Sequence, residues 1–199
     1  MLKAGLTGGL ATGKTFVGRE LAHLGCHVIQ ADALGHQVLE PAGAAHLPVI
    51  KHFGLAILTD GRIDRKKLAD LVFHDPRQLE VLNGIVHPLV FALEDERLRE
   101  IAAKDPGAIA VIEAAILIET GAFRRCEKVI LTVCKPEQQI ERAMARGLSE
   151  KEVRARLERQ MPIEEKRRFA DYIIDTSGTR ESTVEQTRDV YTSLRSLTQ

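Results

Sequence analysis

An eight-residue segment near the N-terminus has the residue types and the spacing of a phosphate-binding loop. The segment fits G-x-x-x-x-G-K-[ST] at every fixed position, and it consists of Gly8, Gly9, Leu10, Ala11, Thr12, Gly13, Lys14 and Thr15. In such a loop the backbone N–H groups point inward at a phosphate chain, and glycine is needed where a Cβ would block the approach. We therefore predict that Lys14 reaches the β- and γ-phosphates of a nucleotide and that the Thr15 hydroxyl ligates Mg²⁺.

The residues on either side of the loop give it the required setting. Residues 1–6 are mostly apolar and predict a strand, whereas Val17, Leu21 and Leu24 recur at the spacing of one helix face. Gly25 stands where a left-handed residue would end that helix. A strand, a glycine-rich loop and a helix in this order place the phosphate at a helix N-terminus. The alternative, a glycine-rich turn that carries Lys-Thr by chance, requires the motif and its setting to be accidental together.

Two acids follow predicted strands and are candidates for the chemistry. Asp32 comes directly after the second predicted strand, and ligands collect at the carboxyl ends of parallel strands. We predict that Asp32 accepts a proton from an acceptor hydroxyl and helps to hold Mg²⁺. The alternative role is an N-cap for a helix that begins near Ala33. Glu113 closes an apolar strand and is predicted to order water around the metal, with a simple surface acid as the alternative.

A region rich in arginine is predicted to cover the phosphates. Residues 136–146 predict a helix that presents Arg142 and Arg146 on one face, where like charges repel unless an anion lies beside them. Ser149 and Glu152 have the spacing of a capping box for the next helix. We predict a lid that closes over a polyphosphate. The alternative is a solvated face on which the arginines pair with neighbouring glutamates.

The order of the predicted elements indicates a doubly wound α/β fold. Four further short apolar runs predict strands at Cys26–Ile29, Ala108–Ile112, Lys128–Val133 and Tyr172–Ile174. With the first strand they predict a P-loop three-layer α/β/α fold with a five-stranded parallel sheet, an inserted helical lobe and a helical lid. Pro48 and Pro88 are among the predicted breaks between helices of the lobe. The predicted core covers about 1–31, 107–141 and 166–199, the inserted lobe about 32–106 and the lid about 142–165.

Composition limits the class of protein. The chain has 199 residues with 28 basic and 28 acidic side chains, so it lacks the basic excess typical of nucleic-acid-binding proteins. Its three cysteines have spacings that indicate neither a metal site nor a disulfide framework. The sequence contains no signal peptide and no apolar run of membrane-spanning length. We expect a cytoplasmic protein that binds neither nucleic acid nor membrane and acts as a monomer, with self-association left open.

The order and spacing of further motifs resemble the dephospho-CoA kinase family over nearly the whole chain. The segments that carry the resemblance are Gly5–Thr15, Val28–Asp32, Asp60–Arg65, Val86–Leu89, Glu113–Glu119, Gln139–Arg142 and Ala170–Asp175. The resemblance implies that ATP phosphorylates the ribose 3′-hydroxyl of 3′-dephospho-CoA, which gives coenzyme A and ADP in the last step of coenzyme A synthesis. It therefore implies ATP and 3′-dephospho-CoA as the partners of this chain.

The resemblance also implies roles for individual residues. Asp32 matches the catalytic aspartate and Arg142 matches a lid arginine that clamps the phosphate, while Lys14 completes the catalytic set. Arg146 is the second arginine expected at ATP. The residues expected to contact the acceptor are Thr7, Asp32, Asp64, Arg65 and His87.

Several positions depart from the family pattern. Gln30 and His36 replace a usual aspartate and a usual arginine, and Thr176 replaces the usual asparagine of a turn near the adenine. Glu113 replaces a commoner aspartate. Because the first acid of the second-strand pair is missing, Asp32 is expected to act alone there.

Two other functions share parts of this pattern. Another P-loop kinase, which phosphorylates a nucleoside or a nucleoside monophosphate, would have the same fold and would differ only in its acceptor. A nucleotide-dependent switch protein would carry D-x-x-G, which Asp32 to Gly35 match. However, the N-K-x-D motif that reads guanine is absent from the sequence, and the D-x-x-G segment follows the P-loop too closely.

Overall fold

The five predicted strands all form, and they are joined by helices and one additional hairpin. The computed structural model describes residues 1–73 and 75–198. The strands are β1 (Leu2–Gly8), β2 (His27–Gln30), β3 (Leu58–Thr59), β4 (Arg62–Ile63), β5 (Ile109–Glu113), β6 (Lys128–Val133) and β7 (Tyr172–Asp175). The α-helices are α1 (Lys14–His23), α2 (Ala31–Leu39), α3 (His46–Phe53), α4 (Arg65–Phe73), α5 (Pro76–Lys104), α6 (Pro136–Met144), α7 (Glu150–Leu157), α8 (Ile163–Lys166) and α9 (Arg180–Ser196). Short 3₁₀ helices cover Leu55–Ile57, Ala122–Arg125 and Arg167–Phe169.

One parallel sheet of five strands, in the order β2-β5-β1-β6-β7, forms the centre of the fold. β5 is buried along its whole length, which explains why its sequence is apolar on both faces. The register pairs Leu6 with Glu113, so β1 and β5 reach the same edge of the sheet at their carboxyl ends. Val17 and Leu21 of α1 pack with Leu194 of α9 against one face. The predicted three-layer α/β/α fold is confirmed.

The chain divides into two compact units, residues 1–30 with the chain from residue 100 onward, and residues 31–99. The second unit contains α2 to α4, most of α5 and the two-stranded hairpin of β3 and β4, which the sequence did not predict. The hairpin turns at Asp60 and Gly61, which have φ values of 49° and 75°. Two positive φ values at an Asp-Gly pair are typical of the tight hairpin turn that matches strand twist.

The predicted helix breaks at Pro48 and Pro88 are wrong. Pro48 is the third residue of α3, where a backbone N–H has no partner within the helix, so proline removes no hydrogen bond there. Pro88 lies inside α5, whose 29 residues form one continuous helix around it. In a helix of 29 residues, one internal hydrogen bond is a small fraction of the total.

No helix in the described ranges is both long enough and apolar enough to cross a membrane. In the same ranges all three cysteines are free thiols. Cys26 is buried, and this burial raises the pKa of its thiol to about 12. The Cys26 thiol therefore stays protonated and acts as a small apolar packing group.

Candidate active site

The loop between β1 and α1 folds into a closed cradle. Positive φ values occur at Gly13 (83°) and at Ala11 (58°), so one bend is made by a residue that carries a Cβ. The Thr12 hydroxyl lies 3.0 Å from the Gly9 carbonyl oxygen and 2.8 Å from the hydroxyl of Thr132, which ties the loop to β6. The cradle encloses about 50 Å³ and is lined by Gly9, Ala11, Thr12, Gly13, Lys14, Thr15 and Arg146. Its place at the N-terminus of α1 favours an anion.

Three of the predicted site residues, Lys14, Thr15 and Glu113, meet beside this cradle. The Thr15 hydroxyl donates to Glu113 Oε1 at 2.9 Å, and Lys14 Nζ lies 3.9 Å from the same oxygen. Glu113 is only 5% exposed, so the surface-acid alternative is wrong. Its second oxygen, Oε2, is buried and has no hydrogen-bond partner in the part of the chain that the structure describes. Oε1 thus holds the carboxylate at Thr15 and faces Lys14, whereas Oε2 is packed inside the protein.

A cleft of about 370 Å³ opens next to the loop and includes both predicted arginines in its lining. Arg142 donates one N–H to Thr176 Oγ1 at 3.0 Å and another to the Thr176 carbonyl oxygen at 2.7 Å. Thr176 is buried, and its own hydroxyl donates to the Thr12 carbonyl oxygen at 2.9 Å. Arg142 is thus linked to the phosphate loop through a single threonine. Arg146 lines the cleft and also the phosphate cradle.

The predicted helix over residues 136–146 is two residues too long. α6 ends at Met144, and the chain then turns through Gly147, which has a φ of 91°. Arg146 therefore lies in the turn after α6 and does not share a helix face with Arg142. Both arginines still line the same cleft, with Arg142 held by its bonds to Thr176.

The helix pair α6 and α7 packs on the phosphate loop. Val153 of α7 is fully buried and forms a small apolar cluster with Ala143 of α6 and Ala11 of the loop. The predicted capping box is confirmed, since Ser149 and Glu152 exchange both hydrogen bonds. On the exposed surface of α7, Arg154 pairs with Glu150 at 2.6 Å, so for Arg154 the solvated-face alternative holds.

Asp32 lies in the other unit, in the first turn of α2 and two residues beyond the end of β2. Its side chain is exposed. Because α2 begins at Ala31, the alternative role of Asp32 as an N-cap for a helix that begins near Ala33 is wrong. An acid in the first helical turn is still favoured by the helix dipole, which attracts negative charge at this end.

The residues predicted to contact the acceptor have different surroundings. Asp64 accepts bonds from the backbone N–H groups of Lys66 and Lys67 and from the Thr59 hydroxyl, and these bonds lower the pKa of its carboxyl. Asp64 thus caps α4, which begins at Arg65. His87 lies half-buried in α5, and this burial lowers the pKa of its imidazole.

Thr7 is fully buried in β1, so its side chain has no exposed surface to offer a substrate. Its hydroxyl donates to the Ala115 carbonyl oxygen at 3.3 Å, and the same oxygen accepts a bond from Lys166 Nζ at 3.2 Å. Lys166 has no exposed side-chain surface and pairs with Glu119 at 2.8 Å. The Ala115 carbonyl oxygen, which follows β5, is therefore held by the Thr7 hydroxyl and by the buried ammonium of Lys166.

The cleft contains further charged residues that the sequence analysis did not single out. Arg19 and Arg180 line it together with Thr179 and Phe16. Arg19 lies one helical turn beyond Thr15, and Arg180 begins α9 directly after the turn that contains Thr176. The sequence indicates a role for these two arginines only through their places next to the P-loop and next to the turn that contains Thr176. The place of Arg180 could be interpreted only after the structure had shown that β7 pairs with β6.

A P-loop at the start of α1, a buried acid on the neighbouring strand and an arginine-lined cleft define a phosphotransferase of the P-loop kinase class. A family model described as dephospho-CoA kinase matches residues 2–182. The dephospho-CoA kinase of Aquifex aeolicus is 39% identical over 195 residues, with 98% of each chain covered. The chain belongs to the dephospho-CoA kinase family.

Solved structures give the same relationship. The protein TT1252 from Thermus thermophilus is 33% identical and superposes with a TM-score of 0.87, with 96% of each chain covered. A dephospho-CoA kinase from Campylobacter jejuni is 26% identical, with a TM-score of 0.73 over 99% of this chain and 98% of that one. The predicted family and the predicted enzyme class are confirmed. The switch-protein alternative does not hold for this chain.

Proposed function

We propose that this chain transfers the γ-phosphate of ATP to the ribose 3′-hydroxyl of 3′-dephospho-CoA, which yields coenzyme A and ADP. The observation that carries the proposal is the contact of Thr15 with the buried Glu113 beside the P-loop, in a chain of this family. Phosphoryl transfer depends mainly on positioning and on the stabilisation of charge. The residues around the P-loop supply both.

The phosphates of ATP occupy the cradle and its nucleoside occupies the adjoining cleft. Backbone N–H groups of residues 9–15 surround the β-phosphate, except that of Leu10, which donates to Gln160 Oε1 at 2.8 Å. Lys14 bridges the β- and γ-phosphates. A cleft of about 370 Å³ is within the range that small-molecule ligands fill. Arg146 lines both cavities and so faces the phosphates, whereas Arg142 stands at the wall formed by Thr176. Together these two arginines cover the charge that spreads over the transferring group.

The residues around the cradle fit Mg²⁺. This ion prefers oxygen ligands, keeps several waters and is commonly held by one or two carboxylates together with substrate phosphates. Thr15 and Glu113 supply a hydroxyl and a carboxylate, and Asp32 supplies a second acid at the acceptor side. When bound, Mg²⁺ would neutralise charge on the phosphates. Glu113 would act through Oε1, the oxygen that accepts the Thr15 bond and faces Lys14.

Asp32 accepts the proton of the 3′-hydroxyl as that oxygen attacks the γ-phosphorus. Its exposure and its place directly after β2 leave the carboxylate open to an incoming sugar. Asp64, Arg65 and His87 belong to the same unit as Asp32, and we assign them to the binding of the acceptor. Closure of α6 and α7 over the phosphates keeps water away from the transferring group.

The cytoplasm is the setting we propose for this reaction, with the chain acting as a monomer. Free thiols at all three cysteines, each within the described ranges, suit a reducing compartment. Size-exclusion chromatography with light scattering checks the oligomeric state. A stable larger assembly at micromolar concentration would contradict the monomer.

The direct test is an assay with the purified chain, ATP, Mg²⁺ and 3′-dephospho-CoA, in which products are identified by mass. We expect equal amounts of coenzyme A and ADP, little loss of ATP without the acceptor, and no turnover after chelation of divalent cations with EDTA. AMP, CMP, uridine and shikimate serve as alternative acceptors. Faster transfer to any of these four would contradict the substrate, and hydrolysis that is independent of an acceptor would contradict the kinase activity.

A further inference from the structure

The middle of α1 contains a glycine that the helix itself does not need. Gly18 is buried, and glycine in a helix interior is less favourable than alanine. A Cβ built on Gly18 would lie 2.9 Å from Glu113 Oε2, 3.4 Å from Leu6 Cδ2 and 3.5 Å from Glu113 Cδ. Real Cβ atoms essentially never approach another atom as closely as 2.9 Å. The space beside Gly18 is therefore occupied by the carboxylate of Glu113.

The position of this carboxylate is fixed from two sides. Its Oε1 accepts the hydrogen bond of the Thr15 hydroxyl at 2.9 Å and faces Lys14 Nζ at 3.9 Å. Its Oε2 lies against Gly18, where no donor from the described residues reaches it. The group that yields most easily to an added methyl is the end of the Glu113 side chain, because Leu6 is packed in the core. An added methyl would push the carboxylate away from Thr15.

We propose that Gly18 is a positioning residue for Glu113, and that its missing side chain keeps the carboxylate in place at the Thr15 hydroxyl. This inference rests on the proposed role of Glu113 at the metal. Glutamate is one methylene longer than aspartate, so its carboxylate extends further from β5 and needs the room that Gly18 leaves. The glycine and the glutamate thus form a matched pair across α1 and β5.

The test is the variant Gly18→Ala, with Gly84→Ala in α5 as its matched control, since a Cβ on Gly84 meets no described atom within 4 Å. We expect Gly84→Ala to unfold at or above the parent temperature, because alanine favours a helix, and Gly18→Ala to unfold at or below it, because the added methyl displaces a buried, hydrogen-bonded carboxylate. Gly18→Ala should lower kcat by about tenfold to a hundredfold, the effect expected of a displaced catalytic group. It should also raise the Mg²⁺ concentration at which ADP stabilises the protein against thermal unfolding. Parent-like kcat and Mg²⁺ dependence would overturn the proposal.

A rescue variant separates positioning from general damage. Gly18→Ala combined with Glu113→Asp shortens the acid by one methylene and so withdraws the carboxylate that collides, and we expect this double variant to be at least threefold faster than Gly18→Ala alone. If Gly18→Ala does not fold, the double variant must fold, because the obstacle has been removed. A double variant that is no faster, or that also fails to fold, would show that Leu6 rather than Glu113 is the obstacle, and the inference would be wrong.

The variant Glu113→Gln separates this inference from the proposed function. If Glu113→Gln leaves turnover and Mg²⁺ dependence unchanged, the metal role of Glu113 is wrong, and with it the reason for positioning this group. If Glu113→Gln impairs both but Gly18→Ala impairs neither, the proposed function stands and only the role of Gly18 is wrong.

Discussion

Glu113 and Asp32, the two acids assigned to the reaction, have opposite surroundings. Glu113 is buried on β5, between two strands, and holds the Thr15 hydroxyl. Asp32 is exposed in the first turn of α2, in the other unit. The buried acid is fixed before any ligand arrives, as the preorganisation of a catalytic site requires. The exposed acid is accessible to a second substrate, from which we propose that it receives a proton.

The largest effect that this comparison predicts is the loss of Asp32. Asp32→Asn should lower kcat by about 10²- to 10⁴-fold, the usual contribution of a general base. Affinity for ADP without Mg²⁺ should stay at the parent value, because the P-loop residues that surround the phosphates are unchanged. Rapid-quench turnover measures the first quantity, and calorimetric titration with ADP in the absence of Mg²⁺ measures the second. Near-parent turnover together with intact ATP binding would contradict the assignment of the base.

A second prediction concerns Lys166, which supports the segment after β5, the strand that carries Glu113. Lys166→Met should lower the free energy of unfolding by about 1 to 3 kcal/mol, because it removes the bonds that the buried ammonium donates to Glu119 and to the Ala115 carbonyl oxygen. Denaturant titration followed by circular dichroism is the measurement. Lys128→Met, which breaks the half-exposed pair with Asp171, is the control and should change stability far less.

A third prediction separates the two kinds of arginine on the lid. Arg146→Ala should reduce kcat by about 10²- to 10³-fold, as expected when one group that stabilises the transition state is removed. Arg154→Ala should leave kcat within about twofold of the parent, because Arg154 pairs with Glu150 on the exposed surface. Steady-state kinetics with saturating ATP gives both values. Equal effects of the two substitutions would mean that the lid arginines act only through overall charge.

The smallest predicted effect is the contribution of the Asp64 carboxyl to the pH dependence of folding stability. Its carboxyl has a pKa below the ordinary value of 3.8 in the folded chain, mainly because of the bond from the Lys67 N–H. A lowered pKa in the folded state contributes stability above pH 3.8, and this contribution is lost as the pH falls through the lower folded value. Asp64→Asn should therefore flatten the loss of stability in acid. Thr59→Val removes one of the donors and should give a smaller change of the same sign in thermal unfolding between pH 2 and pH 5.

Local sequence patterns were sufficient to predict the residues around the nucleotide-binding site. The P-loop, the helix that follows it and the capping box at Ser149 each depend on residues within a few positions of one another, so spacing alone specifies them. The acids at the carboxyl ends of β2 and β5 were found because apolar runs of strand length lead up to them. The end of α6 was misplaced because the turn at Gly147 takes over before the helical pattern stops.

The sequence by itself determined the phosphate loop, the parallel sheet and the family to which this chain belongs. Only the tertiary structure decided that Thr15 bonds to Glu113, 98 residues away, that Arg142 is held by Thr176, and that Gly18 leaves room for a carboxylate. The physical reason is that side-chain periodicity specifies each strand and helix but not the order in which strands pair. That order, with β5 and β6 on either side of β1, brings distant residues together at one edge of the sheet.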